Sequence, residues 1–160
     1  MKKIVIFGNS GSGKTTLATQ LARKHHLSHL DLDILAWQST KPPIRKPLKE
    51  SKTEIESFFS ENNQWVIEGC YSDLLSLTLK DATEIIFLNP DIQTCIDNCK
   101  KRPWEPHKYK SKVEQTQNLN MLLEWVKQYH SREDEFSLVS HRKLFKQFAG
   151  KKREYSSNER

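Results

Sequence analysis

One stretch, Gly8-Asn9-Ser10-Gly11-Ser12-Gly13-Lys14-Thr15, constrains this chain more than any other. An apolar run, Ile4-Val5-Ile6-Phe7, leads into it, and a helical pattern, Thr16-Leu17-Ala18-Thr19-Gln20-Leu21-Ala22, leads out. Strand, glycine-rich loop and helix, in that order, are what a phosphate-binding P-loop (Walker A motif) requires. Glycines at 8, 11 and 13 allow backbone conformations that a Cβ forbids. Consecutive N–H groups from Gly8 through Thr16 then turn inward as an anion cradle at a helix N-terminus. Lys14 can reach β- and γ-phosphate oxygens, and the Thr15 hydroxyl can ligate Mg²⁺. The spacing G-x4-G-K-[ST] arises by chance in roughly one chain of this length in a few hundred. Binding of a nucleoside triphosphate is therefore expected.

A chain of 160 residues corresponds to one domain and can bury roughly 70% of its unfolded surface. With 36% hydrophobic and 29% charged residues, the composition is that of a globular protein with a polar surface. No apolar run approaches the roughly 20 residues that a membrane span needs. Met1-Lys2-Lys3-Ile4 lacks the apolar core of a signal peptide, and a cytoplasmic location is expected. Cys70, Cys95 and Cys99 form no C-x-x-C pair and no metal spacing with histidine. They read as small buried hydrophobes, with a reactive thiol at Cys70 as the alternative.

The net charge of +6 is uneven. Lys41 to Lys49 carries four basic residues among three prolines, and Lys100 to Lys112 six against the single acid Glu105. Such clusters suit a site that holds several phosphates; they also suit nucleic acid, the less favoured partner. Residues 151–160, again basic, read as a solvated tail.

Periodicity predicts alternating strands and helices. Strands are expected at Lys3–Phe7, Ser28–Leu32, Trp65–Glu68, Glu84–Leu88 and Phe136–Val139. Helices are expected from about Gly13 to His25, Ser72 to Leu79, Ile92 to Lys101 under an Asp91 cap, Lys112 to Ser131 and His141 to Ala149. Ser51-Lys52-Thr53-Glu54 has capping-box spacing for another helix, running to about Phe59. In the helix from Lys112, the residues Val113, Leu119, Leu122, Leu123 and Val126 are available for burial. Pro42, Pro43 and Pro47 exclude a helix interior or central strand between Trp37 and Leu48. Alternation implies a parallel sheet covered on both faces, with ligands at the strands' carboxyl ends. The glycine-rich loop, Asp31, Asp33, Glu68 and Asn89 all fall at such ends.

In these motifs the chain resembles the small P-loop kinases, among them adenylate, shikimate and gluconate kinases, and is closest to the adenylate-kinase-like "DNA topology modulation" proteins. The similarity runs through GNSGSGKT, HLDLDILAW, WVIEGCYSD, EIIFLNP and SHRKLFKQFAGKKREY. It implies an α/β fold of three layers, the P-loop NTPase fold, with a five-stranded parallel sheet of order 2-3-1-4-5 and helices on both faces. It also implies a domain over 1–150 with an acceptor arm at about 33–60 and a lid at about 102–112, transferring phosphate from ATP or another triphosphate with Mg²⁺. Lys14, Asp33, Glu68 and Arg102 are then the candidate catalytic residues, and Thr15, Asp31 and Asp33 the candidate metal set. Residues 8–16 and Arg142 are the candidate nucleotide contacts. Asp33 occupies the second position of a D-x-D motif, and Glu68 ends its strand as a Walker B acid does. Lys101, Lys108 and Lys110 read as lid surface; Trp37 and Trp104 read as walls of the acceptor pocket.

The stretch Glu68-Gly69-Cys70-Tyr71-Ser72 lacks the proline and arginine of the nucleotide kinases' D-G-F-P-R. The acceptor therefore stays open between a small-molecule hydroxyl and a monophosphate. A nucleotide-driven switch that transfers nothing, and a kinase acting on nucleic-acid ends, are the alternatives.

Overall fold

The structure, a computed structural model, describes residues 1–38 and 44–158. The prolines at 42 and 43, the lysine at 41 and the last two residues of the expected tail lie outside these. Five strands form one sheet: β1 (Lys3–Gly8), β2 (Ser28–Asp31), β3 (Trp65–Gly69), β4 (Glu84–Leu88) and β5 (Lys151–Tyr155). All pairings are parallel, in the order β2-β3-β1-β4-β5. Parallel strands need crossovers, and helices supply them on both faces.

Strand parity sorts the core. Ile4, Ile6, Val66, Ile86 and Leu88 face α1 (Lys14–His25) and meet Leu17 and Ala18. Val5, Phe7, Trp65, Ile67, Ile85 and Phe87 point the other way, toward α3 (Leu48–Glu61), α4 (Ser72–Ser76) and α7 (Leu138–Gln147), through Ile55, Leu74, Leu75 and Leu144. Trp65 is fully buried and stacks on Phe59 at 4.9 Å. α5 (Ile92–Lys101) and α6 (Lys112–Lys127) join through Cys95, Ile96, Cys99 and Val126. Asp91 caps α5 as expected, its carboxylate accepting from the Thr94 amide at 2.7 Å. A short helix, α2 (Asp33–Ala36), follows β2, and a backbone bridge pairs Trp37 with Arg45.

Four expectations are corrected. The fifth strand is Lys151–Tyr155, the segment read as a solvated tail, and not Phe136–Val139. Residues 151–154 are exposed, so nothing in their side chains announces a strand; β5 is held by main-chain pairing to β4. Lysine and arginine along an outer edge also discourage further strand addition. Residues 136–139 instead make the entry to α7, where the Ser137 hydroxyl accepts from the Ser140 amide at 3.1 Å. Ser51 is no helix cap: α3 starts three residues earlier, after Pro47, and the buried Ser51 hydroxyl donates to the Leu35 carbonyl. Finally, α6 stops at Lys127 in a turn, and Val113 is exposed, whereas Leu119, Leu122, Leu123 and Val126 pack inward.

Candidate active site

β1 ends in the glycine-rich loop, and the loop is braced from outside. Gly11 has φ +80°, and a Cβ there would stand 2.3 Å from the Cys95 carbonyl oxygen, so only glycine fits. The Ser12 amide donates to the Asn9 carbonyl, and the Lys14 ammonium folds back on the same oxygen at 2.7 Å. Asn98 of α5 donates to the Gly11 carbonyl at 2.8 Å, and Asn158, beyond β5, donates to that of Ser12 at 3.0 Å. With these carbonyls held outward, the amides face inward. α1 has neither a side-chain cap nor an acid in its first turn, so its N-terminal N–H groups and dipole remain for an anion. Asn9 Oδ1 and Ser12 Oγ are buried without partners.

Parity places the acids. Glu68 is two residues beyond Val66, so it shares the α1 face of β3, and Asp31 stands beside it in register. Glu68 is 3% exposed; one oxygen accepts from the Thr15 hydroxyl at 3.0 Å and the other from His29 Nε2 at 2.9 Å. Asp31 Oδ1 accepts from the Asp33 amide at 2.9 Å. Asp33 accepts from the Tyr71 hydroxyl, which in turn accepts from the Trp37 indole at 2.9 Å.

Lys108 closes the group from the segment between α5 and α6. Its ammonium lies 2.6 Å from Asp33, 3.2 Å from Glu105 and 3.6 Å from Asp31. Arg102, at the end of α5, reaches Ser10 Oγ at 3.4 Å and lies 3.7 Å from Glu105. A chain of polar contacts therefore runs from the loop through Arg102, Glu105 and Lys108 to Asp33, Tyr71 and Trp37. Burial, and then the charge of Asp33, raise the Asp31 carboxyl above the usual range. Burial would raise Asp33 too, but the Lys108 ammonium and the Tyr71 hydroxyl hold it below that range. Burial opposes the Lys108 charge, yet Asp33 and Asp31 prevail and lift its pKa.

Lys14, Thr15, Asp31, Asp33, Glu68 and Arg102 thus converge at one sheet edge. Arg142 does not join them: it makes a two-pronged pair with Glu154 at 2.5 and 2.9 Å, its guanidinium over Phe87. Register explains this, because Glu154 sits beside Phe87 once β5 is in place. Lys108 corrects the lid-surface reading; Lys101 and Lys110 are exposed as expected. Cys70 is buried in the apolar core, where burial pushes its thiol up to about 12, in keeping with the small buried hydrophobe and against a reactive thiol. Trp37 is exposed and its indole donates to Tyr71, the partner of Asp33; Trp104 donates to the Tyr109 carbonyl instead.

Sequence reasoning missed His29, Asn98, Asn158 and His141. His29 stands two residues before Asp31, and that spacing alone marks the shared strand face. His141 is fully buried, with Nδ1 2.6 Å from the Tyr129 hydroxyl and Nε2 2.7 Å from the Cys70 carbonyl. Burial drops its pKa to about 4.

The donors around Thr15 are hydroxyl and carboxylate oxygens, which suit Mg²⁺. Among the described residues, no group of three or more His, Cys, Asp or Glu side chains forms a ready metal cage. An ion here would draw its other ligands from phosphate and water. Also among the described residues, no helix is long and apolar enough to cross a membrane.

Residues 4–119 match the model of the AAA domain family. A shikimate kinase from Flavobacterium psychrophilum is 30% identical over 121 residues, 64% of this chain and 70% of that protein. The crystal structure of a sugar kinase from Janibacter sp. HTCC2649 shares the fold at a TM-score of 0.54 and 12% identity, over 98% of this chain and 85% of that one.

Proposed function

We propose, from the premise that this chain belongs to the AAA domain family and is a P-loop kinase, that it moves the γ-phosphoryl group of ATP to a hydroxyl or monophosphate of a small molecule, assisted by Mg²⁺. The observation that carries this reading is the polar chain from Ser10 through Arg102 and Lys108 to Asp33. It joins a triphosphate cradle to a carboxylate on the acceptor side of the same sheet edge. Residues 33–60 act as the acceptor arm, and 102–112 as the lid.

Phosphoryl transfer needs alignment and charge neutralisation more than covalent chemistry. The loop amides and Lys14 bind the phosphates; Lys14 gives up the Asn9 carbonyl to do so. Thr15 and Glu68, joined at 3.0 Å, would hold the metal side. Bound Mg²⁺ would neutralise β- and γ-phosphate charge. Arg102 stabilises charge on the transferring group from the lid. Asp33, kept ionised, orients the acceptor hydroxyl and takes its proton. Asp31 sets the Asp33 backbone through its amide and would complete the metal side.

The basic arms favour a small acceptor over nucleic acid, because their described central cations are spent internally. Arg45 pairs with Asp73 and Glu135, each at 3.1 Å, and Lys108 with three acids. A reaction that consumes ATP makes the cytoplasm the expected compartment.

Incubation with γ-labelled ATP and a metabolite panel tests the proposal. Label recovered on an organic product supports it; label released only as inorganic phosphate under every condition refutes transfer. Lys14→Ala is expected to lower turnover by at least about 100-fold, as loss of a preorganised transition-state contact does, with an unchanged circular dichroism spectrum. Unchanged turnover in that variant would end the assignment.

A further inference from the structure

We infer that His29 is a positioning residue for the metal site, one that acts on Thr15 through Glu68. The inference rests on the proposed Mg²⁺ role of Thr15. A glutamate side chain at a strand end has rotatable bonds and two equivalent oxygens, so a single hydrogen bond leaves it free to swing. Here both oxygens are engaged from opposite sides, by Thr15 Oγ1 at 3.0 Å and His29 Nε2 at 2.9 Å. The carboxylate accepts both bonds, so Nε2 carries a proton and donates. Thr15 therefore spends its hydroxyl proton on Glu68, and its oxygen lone pairs are left to face the loop, where a cation held with the phosphates would sit.

The geometry has a backbone cause. In a parallel ladder, residues in register share a face: Ser28 pairs with Trp65 and Asp31 with Glu68. His29 lies beside Val66 on the α1 side, one step before Glu68 on that face. Its ring thus reaches along the sheet to the far carboxylate oxygen. His29 retains 26% side-chain exposure, whereas Glu68 retains 3%. The histidine thus bonds the buried acid while keeping part of its own ring in solvent. Groups that orient metal-binding side chains in this way typically change metal affinity 10–100-fold when removed.

The test measures Mn²⁺ binding by electron paramagnetic resonance in the presence of a non-hydrolysable ATP analogue. Metal-free binding of the same analogue is followed by calorimetry. His29→Ala is expected to weaken Mn²⁺ affinity about tenfold or more, with metal-free analogue affinity within about twofold of wild type. His29→Gln, whose amide can still donate to Glu68, is expected to recover most of the loss. Unchanged Mn²⁺ affinity in His29→Ala overturns the assignment of His29 alone. Equal losses with and without metal, or no recovery by glutamine, reduce His29 to a structural residue and overturn it too. If wild type binds the analogue but recruits no Mn²⁺, the Mg²⁺ role itself falls, and this inference falls with it. Should His29→Ala fail to fold, His29→Gln against Glu68→Gln supplies the same comparison: the first is expected to keep Mn²⁺ recruitment and the second to lose it. The reverse order refutes the proposal.

Discussion

Acidification should cost this protein stability through one buried side chain, His141. It is fully buried, bonded at Nδ1 to Tyr129 and at Nε2 to the Cys70 carbonyl. Burial lowers its pKa from 6.5 to about 4. Below pH 6.5 the unfolded chain therefore takes up a proton that the folded chain refuses. The unfolded state binds more protons in this window, so stability rises with pH and falls as pH drops. Linkage with these two values gives a loss of about 2 kcal/mol by pH 5 and about 3 kcal/mol by pH 4. That is a large share of the roughly 5–15 kcal/mol a domain possesses.

Urea denaturation of wild type and His141→Gln at half-unit steps from pH 8 to 4.5 measures the effect. Glutamine keeps a donor for the Cys70 carbonyl and does not titrate. The variant is less stable at pH 8, where its packing is poorer. The difference between the two curves should then shrink by about 2 kcal/mol between pH 7.5 and 5. A difference independent of pH refutes the argument, since it means that His141 titrates alike in both states.

Three further outcomes follow from the geometry. Gly11→Ala meets the Cys95 carbonyl at a left-handed φ; it should lose analogue binding at least about tenfold and stability by about 1–3 kcal/mol, read by calorimetry and melting. Lys108→Met removes the cation that holds Asp33 down, so the acid limb of the pH–rate profile should move to higher pH. An unmoved limb would show that Asp33 is not the group being titrated. Deleting residues 151–158 removes β5 and bares the edge of β4; the melting temperature should drop and the protein should associate, measured by scattering, whereas a true solvated tail could be lost without effect.

Much of the fold was legible because the informative residues are local. Each of the three inner strands, β3, β1 and β4, carries its own apolar run, and the glycine-rich loop needs only eight consecutive positions. β5 was not legible, because an edge strand of lysines and arginine is defined by a carbonyl and amide row sixty-odd residues away, not by its side chains. The acids were legible for the same local reason: each lies at or just beyond the carboxyl end of a strand. Their partners were not. Lys108 sits 75 residues from Asp33, and His29 is 39 residues from Glu68; nothing in a lysine-rich connector or a lone histidine distinguishes a buried pair from a solvated side chain. The partner of Arg142 was hidden for the converse reason, since its neutralising Glu154 came with the unforeseen strand.

Asn98 gives the helix α5 a second occupation. Its single amide nitrogen lies within hydrogen-bond reach of both the Gly11 carbonyl and the Asn158 side chain, and four residues later the same helix delivers Arg102. The last turn of α5 therefore grips the loop twice, Asn98 at the Gly11 carbonyl and Arg102 at the Ser10 hydroxyl. One rigid turn thereby fixes the spacing between the backbone of the cradle and the guanidinium beside it.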